Sequence, residues 1–188
     1  MRNPIRPKNL SLRFLPFILL GASLVVWRTP TRTGWMCGLP LILAGIALRS
    51  WGAGHLVKND ELTTTGPYAH LRHPLYLGTL ALATGFAAVV GSAGCLLVLA
   101  LVWPWFAFHY FPRKDRVECA RLAALHGERF ERYRAAVPAL WPRARGWQGG
   151  AHADWRLERY SDNNELGTLL AVLAALALLA WRSVRGGA

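Results

Sequence analysis

The residues best suited to chemistry lie in one short stretch between two apolar runs. It reads Gly66-Pro67-Tyr68-Ala69-His70-Leu71-Arg72-His73-Pro74-Leu75-Tyr76-Leu77-Gly78. The Gly-Pro pair predicts a turn, and Pro74 keeps His73 out of helical geometry while suiting the first turn of a following helix. Backbone N–H groups at such a helix start, beside an arginine and a histidine, favour binding of a carboxylate or a phosphate. Gly78, one turn into that helix, leaves room for a flat ligand to approach the backbone.

A second polar stretch, residues 113–137, contains a carboxylate that needs a partner. The apolar residues of this stretch recur at helical spacing and predict a helix edge that lies against the membrane: Val117, Leu122, Leu125, Phe130, Tyr133 and Val137. Glu118 is next to that edge, where a carboxylate near the bilayer boundary is costly unless it is paired. We expect most of the arginines here to form a solvated face on anionic lipid.

The same residues allow two simpler interpretations. The stretch around Arg72 could be a basic and aromatic belt that only anchors a membrane helix. Alternatively, His70 and His73 could bind a metal ion together with His55, but an H-x-x-H pair without acidic or thiol partners is a weak zinc signal. We therefore expect no metal site.

The elements that must position these residues are apolar runs. Hydrophobic residues make up 53% of the 188 residues and charged residues 17%, whereas soluble domains average about 45 to 50% and about 25%. A membrane helix needs about 20 mostly apolar residues. Five runs approach this length: Phe14 to Trp27, Trp35 to Ala53, Leu75 to Val90, Cys95 to Phe111 and Leu166 to Trp181. We predict an all-α, polytopic membrane protein with about five transmembrane helices and a cytoplasmic interfacial helix.

The chain is expected to form a single integral membrane domain over residues 1–188. Residues 10–30 follow a basic segment without an A-x-A cleavage site, so we predict an uncleaved N-terminal anchor helix. Residues 160–188 are predicted to form a C-terminal transmembrane helix. Only Gly91 to Gly94 separate the third and fourth runs, which predicts a tight antiparallel hairpin, and Pro104 is expected to kink the fourth.

The distribution of basic residues predicts the orientation. Lys and Arg outnumber Asp and Glu by 22 to 10, which in a polar chain would suggest a nucleic-acid partner. Here the basic residues avoid several long apolar runs. With a cytoplasmic N-terminus, eighteen Lys and Arg fall on the cytoplasmic side and four on the opposite side, as the positive-inside rule requires. We expect no nucleic-acid partner, an inner-membrane location, and an N-terminus and active site that face the cytoplasm.

Several of these motifs together resemble a known family. They are Leu48-Arg49-Ser50-Trp51-Gly52-Ala53-Gly54-His55, Lys58, Gly66-Pro67-Tyr68, Arg72-His73-Pro74-x-Tyr76-x-Gly78, Glu118, Gly127, Tyr133 and Val137-Pro138. The combination resembles the isoprenylcysteine carboxyl methyltransferase and phospholipid methyltransferase superfamily. The resemblance covers residues 44–142, about half of the chain.

This resemblance implies an integral membrane enzyme that uses S-adenosyl-L-methionine. Its lipophilic substrate would enter between helices from the bilayer. Carried over residue by residue, the cofactor contacts are Tyr68, His73, Pro74, Tyr76, Gly78 and Glu118, and the catalytic residues are Arg72, Glu118 and Tyr133. The chain departs from the family pattern at Cys119, where members often have a second Glu, and at His126, where they often have an aromatic residue.

The methyl acceptor stays open at this stage. A carboxylate, such as that of a prenylated cysteine, is already ionised at pH 7, so Arg72 would only have to orient it. A lipid amine would first have to lose a proton, with Glu118 or His73 as the base. Two other functions are alternatives: an NADPH-dependent membrane sterol or lipid reductase, and a non-enzymatic scaffold or lipid-binding protein.

Overall fold

The computed structural model describes residues 29–57, 61–150 and 153–186, and these ranges contain helices but no strand. The all-α prediction is therefore confirmed for this part of the chain. The elements are α1 (Arg32–His55), a short 3₁₀ turn (Gly66–Ala69), α2 (Pro74–Val90), α3 (Ala93–His126), α4 (Glu128–Ala136), α5 (Leu157–Asp162) and α6 (Glu165–Gly186).

Three of these helices are long and apolar enough to cross a membrane. They are α1 with 24 residues, α3 with 34 and α6 with 22. The apolar α2 has 17 residues, so at about 1.5 Å per residue it is slightly shorter than a hydrocarbon core of about 30 Å. Large apolar side chains such as Met36, Leu96 and Phe108 point outward and are exposed in the protein alone, as expected for surfaces covered by lipid. The predicted helix Phe14 to Trp27 lies outside the described residues.

The structure contains the charged helix that the sequence predicted after the apolar run Cys95 to Phe111. It is the second part of α3 and not a separate helix. The hairpin between α2 and α3 is also tighter than predicted, because only Gly91, which has φ 130°, and Ser92 separate the two helices. Pro104 lies between two π-helical segments, Val98–Val102 and Phe106–Tyr110. Wider π turns suit this position because proline lacks an N–H donor and its ring crowds the carbonyl four residues earlier.

Glycines allow α1 and α2 to pack with their backbones nearly in contact. A Cβ atom on Gly45 would lie 2.9 Å from the carbonyl oxygen of Gly78, and one on Gly85 would lie 2.8 Å from that of Gly38. Small residues spaced by a helix turn allow this approach in membranes. The pairing fixes the position of the α2 start, which carries the Arg72-His73-Pro74 stretch.

The described residues form two apolar cores. The first joins α1, α2 and α6 through Ile42, Leu82, Val89, Val90, Val172 and Leu179. The second lies in the polar half of the molecule, which consists of residues 61–73 and 113–150, and it contains Leu62, Cys119, Phe130, Tyr133 and Val137.

The predicted membrane-facing edge of residues 113–137 is wrong for its C-terminal part, which faces the protein. Phe130, Tyr133 and Val137 are buried inside the second core, while Val117 and Leu125 are exposed. The reason is Gly127, which has φ 53° and ends α3, so that α4 turns back on it. The apolar face of α4 therefore packs against protein.

Candidate active site

A cavity of about 240 Å³ opens in the polar half of the molecule. Its walls are the segment after α1, the turn before α2, the end of α3 and the start of α4. Five predicted site residues line it: Tyr68, Arg72, His73, Glu118 and Tyr133. Glu61 and Arg121, which the sequence did not single out, also line it. The structure thus brings together predicted residues from three separate chain segments.

The other three predicted site residues do not line this cavity. Pro74 is buried, and Gly52 of α1 packs against it. Tyr76 stacks on the His73 ring with the ring centroids 5.5 Å apart. Gly78 faces α1, where a side chain would meet Gly45 and Arg49. Their predicted cofactor contacts remain predictions, but their observed contacts position the helix that carries His73.

Backbone hydrogen bonds hold the Arg72-His73 turn against the Val137-Pro138 motif. The Arg72 N–H donates to the Pro138 carbonyl at 2.9 Å, and the His73 N–H donates to the Ala139 carbonyl at 3.0 Å. These two amides are therefore already paired within the protein. Their role is to fix both side chains beside the cavity.

Asp115 of α3 is the central partner that sequence reasoning missed. Its Oδ1 atom lies 2.9 Å from Arg72 Nη1 and 2.8 Å from His73 Nε2. Arg72 Nη1 also lies 3.0 Å from the Cys119 sulfur. A signal was present, because Asp115 precedes Glu118 by three residues and Cys119 by four, which places all three on one helix face.

Glu118 faces the opposite nitrogen of the same histidine. Its Oε2 atom lies 3.9 Å from His73 Nδ1, and its side chain is 45% exposed. His73 meets the expectation that this carboxylate needs a partner only when its ring is protonated, and then only at the outer limit of an ion pair. Glu118 therefore retains hydrogen-bonding capacity toward the cavity.

Tyr133 is tied to the turn that carries Tyr68. Its hydroxyl donates to the Tyr68 carbonyl at 2.7 Å, and both residues are buried. Burial, together with the other phenol and Glu118, raises the pKa of Tyr68 well above its usual range. Burial also raises the pKa of Tyr133, against the opposing effect of Arg72. Both phenols therefore stay protonated, and neither is a base at neutral pH.

A second buried ion pair lies away from the cavity. Arg49 of α1 donates from Nε and Nη2 to the two carboxylate oxygens of Glu165 at 2.6 and 2.8 Å. Its Nη1 atom donates to the Thr79 hydroxyl at 2.6 Å and to the Leu75 carbonyl at 3.3 Å. Arg49 thus links α1, α2 and α6, which the sequence did not predict.

The three histidines considered for metal binding are held separately. His70 Nδ1 lies 2.8 Å from the Arg143 carbonyl oxygen, and His55 Nδ1 lies 3.4 Å from the Thr65 hydroxyl. Within the described ranges, no group of three or more His, Cys, Asp or Glu side chains could hold a metal ion.

Residues 41–118 match the phospholipid methyltransferase family model. A protein-S-isoprenylcysteine O-methyltransferase from Schizosaccharomyces pombe is 30% identical over 137 residues, which are 70% of this chain and 56% of that protein. These matches support the assignment of the chain to the isoprenylcysteine carboxyl methyltransferase and phospholipid methyltransferase superfamily. The range that matches the family model includes Arg49, Arg72, His73, Asp115 and Glu118.

Other relatives share the same region. The human protein-S-isoprenylcysteine O-methyltransferase is 29% identical over 139 residues, covering 65% of this chain and 46% of that protein. The cobalt-zinc-cadmium resistance protein CzcN of Cupriavidus metallidurans is 37% identical over 116 residues, covering 61% and 50%. The chain spans about half the length of the curated relatives it matches. No solved structure matches it. Similarity to methyltransferases implies a methyl donor, and the reductase alternative gains no support from these matches.

Proposed function

We propose that this protein is a membrane-embedded methyltransferase that moves a methyl group from S-adenosyl-L-methionine to a lipophilic acceptor. One observation carries the proposal. The segment that matches the family model contributes Arg72, His73 and Glu118 to a cavity at one end of an apolar helix bundle. A water-soluble donor and a lipid-soluble acceptor need such a junction between polar and apolar surroundings.

The cavity residues fit the chemistry of this donor. Its ammonium group and ribose hydroxyls call for carboxylate acceptors, which Glu61 and Glu118 provide. Its carboxylate calls for a guanidinium, which Arg121 provides at the same wall. The rings of Tyr68 and Phe130 offer apolar faces for the purine. When bound, the donor supplies a sulfonium methyl group that an acceptor takes by in-line displacement.

The protein's own residues then have to orient the acceptor and exclude water. Arg72 is already paired with Asp115, so it would bind an acceptor carboxylate as part of a neutralised cluster. A carboxylate needs no base at pH 7, whereas an amine would use Glu118 or His73. The names of the isoprenylcysteine relatives favour the carboxylate of a prenylated cysteine-like compound, with a lipid amine as the alternative. This acceptor would reach the cavity from the bilayer.

The asymmetry of basic residues supports an orientation for this reaction. Residues 113–145 belong to the polar half that contains the cavity, and nine of their side chains are Lys or Arg. By the positive-inside rule, this half faces the cytoplasm, where the donor would be available. In a bacterial host, we place the protein in the inner membrane.

The test is transfer of a labelled methyl group by the purified full chain in lipid. Acceptors are an S-prenylated cysteine with a free carboxylate and, separately, a total lipid extract of the host, with the labelled product identified by mass. We expect transfer to the first, and loss of transfer on Arg72→Ala but not on the exposed Glu128→Gln. Titration calorimetry with S-adenosyl-L-methionine and with NADPH tests the donor. Binding of NADPH alone, or of neither, contradicts the proposal.

A further inference from the structure

We propose that Asp115 is the positioning residue of this site, holding the Arg72 guanidinium and the His73 imidazole in their working orientation. The effect on reaction rate that we expect rests on the proposed function, because it presupposes methyl transfer. The structural content of the inference is independent, because it concerns contacts among residues of the chain itself. Asp115 acts through its two neighbours.

One oxygen atom makes both contacts. Asp115 Oδ1 accepts from Arg72 Nη1 at 2.9 Å and lies 2.8 Å from His73 Nε2. The exposed fractions of the three side chains are 20% for Asp115, 11% for Arg72 and 8% for His73. Hydrogen bonds that involve a charged group are stronger at such weakly solvent-exposed positions than in water, because the local dielectric constant is lower. Loss of this oxygen's charge therefore releases two cavity side chains together.

The contact also sets which histidine nitrogen carries the proton. A carboxylate paired with arginine is ionised and only accepts hydrogen bonds, so His73 Nε2 must donate. In the neutral ring, Nδ1 then presents its lone pair toward the side where Glu118 Oε2 lies, 3.9 Å away. A carboxylate behind an imidazole fixes tautomer and ring orientation in this way in many sites. Asp115 thus determines which His73 atom faces Glu118.

Arg72 receives a second restraint on the opposite side. Its Nε donates to the Val137 carbonyl at 3.2 Å, so the guanidinium is held between α3 and the segment after α4. Cys119 lies one turn beyond Asp115 on α3, with its sulfur 3.0 Å from Arg72 Nη1 and 3.4 Å from Asp115 Oδ1. A carboxylate introduced at position 119 would therefore reach the same guanidinium.

This geometry gives a rescue experiment. We expect Asp115→Asn to lower kcat for methyl transfer by about 10- to 100-fold, since the amide cannot replace a charged acceptor for both neighbours. The change should fall on kcat more than on the donor Kd. Adding Cys119→Glu to Asp115→Asn should restore at least half of the lost rate on a logarithmic scale. Asp115→Glu keeps the charge and should retain more activity than Asp115→Asn, while Glu128→Gln is the matched exposed control.

A second measurement does not depend on activity. Nitrogen-15 spectra of histidine-labelled protein, with His73 assigned from a His73→Gln sample, should show the Nε2–H tautomer in the wild type and a changed ring signal in Asp115→Asn. An unchanged His73 signal, or wild-type kcat in Asp115→Asn, overturns the inference. If the wild type transfers no methyl group to any acceptor, the proposed function fails, and the His73 spectrum still decides the role of Asp115.

Discussion

Two partly buried arginines, Arg49 and Arg72, pair with carboxylates in this protein, and their surroundings differ. Arg49 pairs with both oxygens of Glu165, and it also donates to a hydroxyl and a backbone carbonyl. Arg72 shares a single oxygen of Asp115 with His73. The first cluster lies where α1, α2 and α6 meet, and the second borders the cavity.

The difference shows how to tell a structural ion pair from a functional one. Each of the three guanidinium nitrogens of Arg49 has a protein acceptor, so its cluster has little left to offer a ligand. Near Arg72, by contrast, the Glu118 side chain is 45% exposed, and its carboxylate is as far as 3.9 Å from the nearest His73 nitrogen. Clusters of charged residues with shifted pKa values occur at structural sites as well as at functional ones. What distinguishes the Arg72 cluster is the adjoining cavity, toward which Glu118 can still form hydrogen bonds. Four changes test this distinction, in order of decreasing expected effect.

Glu165→Gln should cause the largest loss of stability. The Glu165 side chain is 4% exposed, and its removal leaves the Arg49 charge buried without its counter-ion. Breaking such a pair costs about 3 to 5 kcal/mol of unfolding free energy. Thermal unfolding in detergent would measure the loss, with the exposed Glu158→Gln as the control. Donor affinity of the folded fraction should stay unchanged, and a specific loss of that affinity would break the distinction.

Arg72→Ala should instead affect the reaction. Removing one preorganised donor at a reacting centre typically lowers kcat by about 100-fold or more, and we expect this loss in steady-state methyl transfer. Arg72→Lys should not restore the rate, because a lysine cannot reproduce the guanidinium fork that contacts Asp115 and Val137. The exposed Arg129→Ala is the matched control. Retention of half the wild-type rate in Arg72→Ala would assign Arg72 to structure alone.

Glu118→Gln distinguishes binding from proton transfer. If Glu118 holds the donor, the variant should bind S-adenosyl-L-methionine about 10-fold more weakly in calorimetry, because a charged hydrogen bond becomes a neutral one. We expect this result. Normal donor binding with loss of transfer to an amine would make Glu118 a base. Stability should barely change, since the side chain is half-exposed.

Tyr133→Phe should have the smallest effect. It removes a hydroxyl that donates to the Tyr68 carbonyl, which corresponds to about 1 kcal/mol of stability and a change in kcat of less than about 3-fold. Because the pKa of Tyr133 is raised by burial, its contribution to stability is present below about pH 10 and is lost as the pH rises further. Unfolding curves of both proteins at pH 8 and 11 would show it. Abolished transfer at unchanged stability would instead make Tyr133 catalytic.

Much of the candidate site was predictable because its residues form compact local motifs. Tyr68, Arg72 and His73 lie within one turn, and Glu118 stands out as a carboxylate beside an apolar edge. Helix boundaries were also close, as with the predicted run Leu75 to Val90 and the observed Pro74–Val90. Apolar length and turn chemistry are local properties, which a sequence displays directly.

Pairings between distant residues were not predictable in the same way. Arg49 and Glu165 are 116 residues apart, and Arg72 and Asp115 are 43 apart. Each cation had several carboxylates to choose from, and the choice depended on how the helices pack. The inward direction of Phe130 and Tyr133 depended on one residue, Gly127, whose positive φ turns α4 back.

The sequence by itself determined that this is a helical membrane protein and which superfamily its motifs resemble. It also determined most of the polar residues that line the cavity. These properties follow from composition, periodicity and short motifs, which act within a few residues. Only the tertiary structure decided that Asp115 joins Arg72 to His73, that Gly78 serves helix packing, and that Arg49 is closed off by Glu165. Those outcomes depend on close packing of α1 and α2 and on the fold of α4 against α3, which bring side chains within hydrogen-bond distance regardless of their separation in the chain.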